Sequence, residues 1–192
     1  MNLPNKLTLS RFVAILPVAV TLLMAKDGKW LMWLLSLALF GAASLTDAFD
    51  GSIARKRGLV TSFGKLLDPV ADKVLVTGVF SCFTAMGLCS PWVLIIVLTR
   101  EFIVLSVRMV AAADGTVIPA NKWGKAKTVT QMTAIITVYV LKIFEAVFPK
   151  AAAAVPWLGA VGTVMLWISA AITVVSGIIY CWLSRELFKD IK

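Results

Sequence analysis

Four aspartates fall at two helical spacings, Asp47 with Asp50 and Asp68 with Asp72, inside the pattern Asp47-x2-Asp50-Gly51-x2-Ala54-Arg55-x8-Gly64-x3-Asp68-x3-Asp72. On a helix, residues three or four apart are neighbours on one face, so each pair points two carboxylates the same way. Both pairs border long apolar runs. An aspartate at the centre of a membrane span costs about 2.5–3.5 kcal/mol, and like charges repel besides, so a cation must compensate. Oxygen-only ligation, in a chain without histidine, suits Mg2+ or Mn2+ better than zinc. Two divalent ions about 3.5–4 Å apart would neutralise four carboxylates and could clamp a diphosphate. Gly51, Ala54 and Gly64 permit close approach by a ligand or a second helix. Arg55, two turns beyond Asp47, is placed to pair with a phosphate.

The absence of histidine excludes Ser-His-Asp and Cys-His catalysis. Any general base must then be Asp, Glu, Lys or Tyr. Cys82, Cys89 and Cys181 have no metal-ligand spacing and lie in or beside apolar segments, which reads as packing.

The elements that carry these residues are set by hydropathy. Of 192 residues, 60% are hydrophobic, with a mean hydropathy of +0.92. A soluble core of this size cannot bury that much apolar surface, so the bilayer is the expected solvent. About six segments approach the roughly 20 apolar residues that a span requires. They are Leu9–Ala25, Trp30–Ala54, Gly64–Leu88, Trp92–Ala113, Gly124–Phe148 and Pro156–Leu183. The expectation is an all-α, polytopic membrane protein, one domain over residues 1–192, with an uncleaved first span. Leu3 to Arg11 is too polar to span and is expected to form a short interfacial helix. The Ala151–Ala154 stretch reads as a loop.

The net charge of +9 is one-sided. Lys6, Arg11, Arg55, Lys56, Arg57, Lys65, Lys122, Lys125, Lys127, Arg185, Lys189 and Lys192 fall on one set of ends and loops, against Lys26, Lys29 and Lys150 on the other. The positive-inside rule then puts both termini in the cytoplasm and the aspartates at the cytoplasmic face. Anionic headgroups and phosphorylated substrates explain this basic face better than nucleic acid does.

The aspartate pattern resembles the signature of the CDP-alcohol phosphotransferase family, matched at every fixed position. The resemblance implies six transmembrane helices, usually in a homodimer, in a bacterial inner membrane, with a polar cavity open to the cytoplasm. It implies that Asp47, Asp50 and Asp68 hold two divalent ions and that Asp72 is both metal-associated and the base. By the same resemblance Gly51, Arg55 and Thr61 contact the CDP moiety of a CDP-diacylglycerol donor. The implied chemistry is displacement at the β-phosphorus by an acceptor hydroxyl, with CMP departing.

Three further stretches resemble the branch of that family that uses sn-glycerol 3-phosphate: Asn2 to Arg11, Arg100 to Arg108, and Asn121 to Gln131. With the aspartate motif, the likeness covers most of the first 135 residues. A phosphorylated acceptor needs cations. Arg100 and Arg108 fall about 80° apart on a helical wheel, so both could face one cavity, and Lys125 and Lys127 start the next segment on the same side. The competing reading makes Arg100 and Glu101 a structural pair and the two lysines markers of topology. Asn5 and Thr8 are candidates for contact with cytidine or diphosphate, against a role in capping an interfacial helix. Serine, inositol phosphate and phosphatidylglycerol are the rival acceptors. The rival of another class is a cation-coupled transporter, since membrane carboxylates mark ion paths. Its sites lie near the midplane among repeats, whereas these carboxylates crowd one face.

Overall fold

Each apolar segment becomes a helix. In a computed structural model of the chain, residues 3–56, 62–113 and 122–185 are described; within them the side chains at 3–11, 27, 47–56, 62–69, 71, 72 and 113 fall outside the description. The long helices are α1 (Leu3–Met24), α2 (Trp30–Lys56), α3 (Ser62–Ala85), α4 (Pro91–Ala113), α5 (Lys122–Val147) and α7 (Leu158–Leu183), with a short α6 (Pro149–Ala153) before the last. All regular structure among the described residues is helical.

Glycine and proline set the turns. After α1 a single 3-10 turn, Ala25–Asp27, is closed by Gly28 at φ 75°, whose N–H donates to the Ala25 carbonyl. Gly87, also at φ 75°, follows α3, and Pro91 then opens α4, where its missing N–H has no helical partner to lose. Two expectations are corrected. The polar N-terminal stretch is no separate helix: α1 runs unbroken from Leu3 to Met24, because Pro4 stands in its first turn and no breaker follows until Pro17. The alanine stretch is no loop either. Pro149 stands at the first helical position and alanine has the highest helix propensity, so one turn of helix forms at Pro149–Ala153.

The six long helices close a ring. α1 packs on α2 and α3, α3 on α4, α4 on α7, α7 on α5, and α5 back on α2. Tyr139 of α5 is wholly buried in the core. Its ring meets Trp33 and Phe40 of α2 and Phe83 of α3, at centroid distances of 5.9, 6.3 and 5.5 Å. Cys82 and Cys89 are buried in the same core, as packing residues are expected to be.

The outside is apolar. Trp92, Trp157, Ile178, Phe102 and Leu16 are each more than 60% exposed, while Glu101, Lys127, Gln131, Ser169, Thr173 and Ser176 are buried. Such a distribution suits a hydrocarbon solvent and is costly in water. Two helices, α5 and α7, are long and apolar enough among the described residues to cross a membrane. The described apolar parts of α1, α2 and α3 are shorter, and α4 carries Arg100, Glu101 and Arg108 in mid-helix.

Candidate functional site

Both aspartate pairs lie on continuous helix. Asp47 and Asp50 are in the second half of α2, and Asp68 and Asp72 are in the first half of α3. The helical spacing inferred from the sequence is therefore the spacing on the backbone. The connection between Lys56 and Ser62 can reach at most about 22 Å fully extended, which tethers the Asp50 end of α2 to the Asp68 end of α3, and the two helices touch. The side chains of Asp47, Asp50, Asp68, Asp72, Gly51, Arg55, Asn5 and Thr8 lie outside the described residues, and so does Thr61 altogether. Among the described residues no group of three or more His, Cys, Asp or Glu could hold a metal ion. The donor set of four carboxylates on two tethered helices, in a chain without histidine, fits a hard, oxygen-seeking dication.

Lys73, the residue after Asp72 on α3, takes part in a buried ionic cluster. Its centre is Glu101 of α4, only 4% exposed. The Lys73 ammonium of α3 lies 3.2 Å from Glu101 Oε2, an ion-pair contact without hydrogen-bond alignment. Arg100 Nη1 donates to Oε1 at 3.2 Å, and Lys127 Nζ of α5 donates to the same oxygen. Arg100 is held a second time, by Nη2 donating to Ser176 Oγ of α7 at 2.8 Å. Its buried Nε has no partner among the described residues.

One turn along α5 from Lys127, Gln131 donates to Thr173 Oγ1 of α7 at 3.0 Å, and Thr173 donates to the Ser169 carbonyl at 2.6 Å. These bonds seat α5 against α7 directly beside the ionic cluster. Arg108 is exposed and rests on α7. Its Nε donates to the Tyr180 hydroxyl at 3.2 Å, and its guanidinium lies 5.6 Å from the centre of that ring.

Of the four cations expected to meet an acceptor phosphate, Arg100 and Lys127 are brought together on Glu101. Arg108 is held two helical turns away by Tyr180. Lys125 is exposed on the far side of α5 from Lys127, because two residues turn a helix by about 200°. Sequence reasoning missed Lys73 as a member of the cluster and Ser176 and Tyr180 as holders of the arginines. The signal for Lys73 was present, a lone lysine at the start of an apolar run. No local pattern marks Ser176 or Tyr180.

Three cations against one carboxylate leave two positive charges in excess among the described side chains. Charges withdrawn from water require compensation. The cluster is therefore suited to an anion, or to carboxylates from the aspartate motif next to it.

Residues 1–175 match the family model described as CDP-alcohol phosphatidyltransferase. The chain is similar to the CDP-diacylglycerol–glycerol-3-phosphate 3-phosphatidyltransferase of Bacillus subtilis, at 38% identity over 92% of this chain and 91% of that protein. It is similar also to the proteins of that name from Rickettsia bellii, at 36% identity over 97% of both chains, and Rickettsia typhi, at 37% over 93% of this chain and 94% of that one.

Proposed function

We propose, since the chain belongs to the CDP-alcohol phosphatidyltransferase family, that it transfers the phosphatidyl group of CDP-diacylglycerol to sn-glycerol 3-phosphate, giving phosphatidylglycerophosphate and CMP. The observation that carries this reading is the extent of the match. The family model spans residues 1–175, which include the whole aspartate motif and Glu101 with its three cations, and the relatives named for this reaction cover more than nine-tenths of the chain. Membership in an enzyme family also removes the reason to read the carboxylates as a transporter's ion path.

Asp47, Asp50, Asp68 and Asp72 would hold two divalent ions, Mg2+ or Mn2+. When bound, the ions would stabilise the negative charge that develops on the departing CMP. Asp72 would accept the proton of the acceptor hydroxyl as its oxygen bonds to the β-phosphorus and the bond from that phosphorus to the bridging oxygen breaks. Gly51, Arg55 and Thr61 would contact the CDP moiety, and Asn5 and Thr8 would border the cytidine or diphosphate. Arg100 and Lys127 would meet the acceptor's phosphate from the buried cluster and Arg108 from a more exposed position, while Lys125, on the other side of α5, would only add to the positive charge of that end.

A multi-pass arrangement supports this chemistry. The six long helices have 22–27 residues, or about 33–41 Å at 1.5 Å per residue, against a hydrocarbon thickness of about 30 Å. With the basic ends in the cytoplasm, the site opens to a soluble acceptor on the inner face of a bacterial cytoplasmic membrane, and both termini share that side. The active form is a homodimer.

The test is CMP release by the purified protein in detergent, with CDP-diacylglycerol, Mg2+ or Mn2+, and one acceptor at a time. Glycerol 3-phosphate should support turnover, while serine, inositol phosphate and phosphatidylglycerol should not. Chelation of the divalent ions should stop the reaction. Faster turnover with any other acceptor would overturn the assignment.

A further inference from the structure

A carboxylate that needs only a structural partner is satisfied by one cation, and a buried pair broken on one side is costly. Glu101 instead gathers three, from α3, α4 and α5, and its own side chain is 5% exposed against 26% for Lys73, 10% for Arg100 and 8% for Lys127. Three like charges do not converge inside a ring of helices unless something holds them there. Arg100 is fixed twice, by Glu101 and by Ser176, which leaves its buried Nε as a donor without a partner among the described residues.

We infer that Glu101 is a positioning residue for the acceptor: its carboxylate holds Lys73, Arg100 and Lys127 at one point, and Lys73 joins the other two in meeting the acceptor's phosphate. This rests on the acceptor reading above and deepens it. The charges fit. Among the described side chains, three cations and one carboxylate leave an excess of two, and a phosphate monoester carries about −1.5 to −2 at neutral pH, which would bring their sum close to neutral. The placement fits as well. Lys73 is the next residue after Asp72 on α3, so the carboxylate that anchors Lys73 also ties the phosphate subsite to the helix that carries the proposed base. Lys125, exposed on the other side of α5, has no place in this cluster.

Glu101→Gln keeps the shape and one acceptor oxygen while removing the charge. We expect it to raise the KM for glycerol 3-phosphate by about tenfold, the size of a lost charge-assisted contact, with the KM for CDP-diacylglycerol and kcat near wild type. Lys73→Met and Lys127→Met should each raise the same KM. Either one combined with Glu101→Gln should do less than the product of the single effects, because residues acting through one another are not additive.

Binding of inorganic phosphate to the purified protein without CDP-diacylglycerol, measured by calorimetry, separates this inference from the reaction itself. Weaker phosphate binding by Glu101→Gln and Lys73→Met supports it. Tighter binding by Glu101→Gln would show a competing counter-charge and overturn the positioning role. An unchanged KM for glycerol 3-phosphate with a lowered kcat would overturn it too, and so would full additivity with Lys73→Met and Lys127→Met. Should Glu101→Gln not fold in detergent, the two lysine variants decide, and normal phosphate binding by both sinks the idea. If the wild type released no CMP with glycerol 3-phosphate yet bound phosphate through Glu101, the acceptor assignment would fall and the positioning role would stand.

Discussion

The two polar centres buried in this ring are built on opposite terms. Around Tyr139 every polar group finds its match. Ser36 Oγ donates to the Val18 carbonyl at 3.0 Å, so the Tyr139 hydroxyl, 2.8 Å from Ser36 Oγ, is the donor in that second bond, and three aromatic rings close over it. Around Glu101 the charges do not balance among the described side chains, and Arg100 Nε lacks a partner there. Satisfied polar networks rigidify a fold. A centre with charge and donors left over is organised for something that arrives later. Within one helix ring, the first centre should carry stability and the second should carry binding.

Substitutions can break that contrast. The largest effect is expected from Asp68→Asn, on the helix end that leads into the ionic cluster, which should abolish CMP release with every acceptor while the thermal midpoint in detergent stays near wild type. A variant that unfolds instead would make this end structural. At the aromatic centre, Tyr139→Ala should lower stability by about 3–5 kcal/mol, as for other large aromatic truncations, measured as denaturant or thermal unfolding in detergent. The protein that remains folded should keep its KM values. Arg108→Ala should raise the KM for glycerol 3-phosphate by about tenfold with little change in unfolding; an unchanged acceptor affinity would remove Arg108 from the phosphate pocket.

The smallest effect sharpens the comparison. Tyr180→Phe leaves an aromatic face for the Arg108 guanidinium and removes one hydrogen bond, a change of about 0.5–1.5 kcal/mol at most. It should shift the same KM by roughly two- to tenfold, in the same direction as Arg108→Ala and no further. Equal effects of Tyr180→Phe and Tyr139→Ala on unfolding would erase the distinction between the two centres.

Much of this arrangement is readable along the chain because it is local. The 3.6-residue period places Asp47 with Asp50 and Asp68 with Asp72 on shared helix faces wherever the helices end up, and α2 and α3 run through those positions. Gly28 ends a helical turn among Lys26, Asp27 and Lys29, and Gly87 follows α3 just before Pro91, each at a positive φ that glycine adopts freely. The N-terminal stretch departs from its polarity for a local reason too: polar residues do not stop a helix in the absence of a breaker, and α1 runs through them. Arg100 and Arg108 are legible too, because charge inside an apolar segment stands out against its neighbours.

What the amino-acid order determined by itself is the helix content, the facing of each aspartate pair and the family, since these depend on residue types a few positions apart. The tertiary structure alone decided which cations share a carboxylate. Lys73, Glu101 and Lys127 come from three helices, and Ser176 reaches Arg100 from a fourth. Contacts across such separations arise only when helices pack, and packing also decided that Lys127 is buried on Glu101 while Lys125, two residues earlier on the same helix, faces outward.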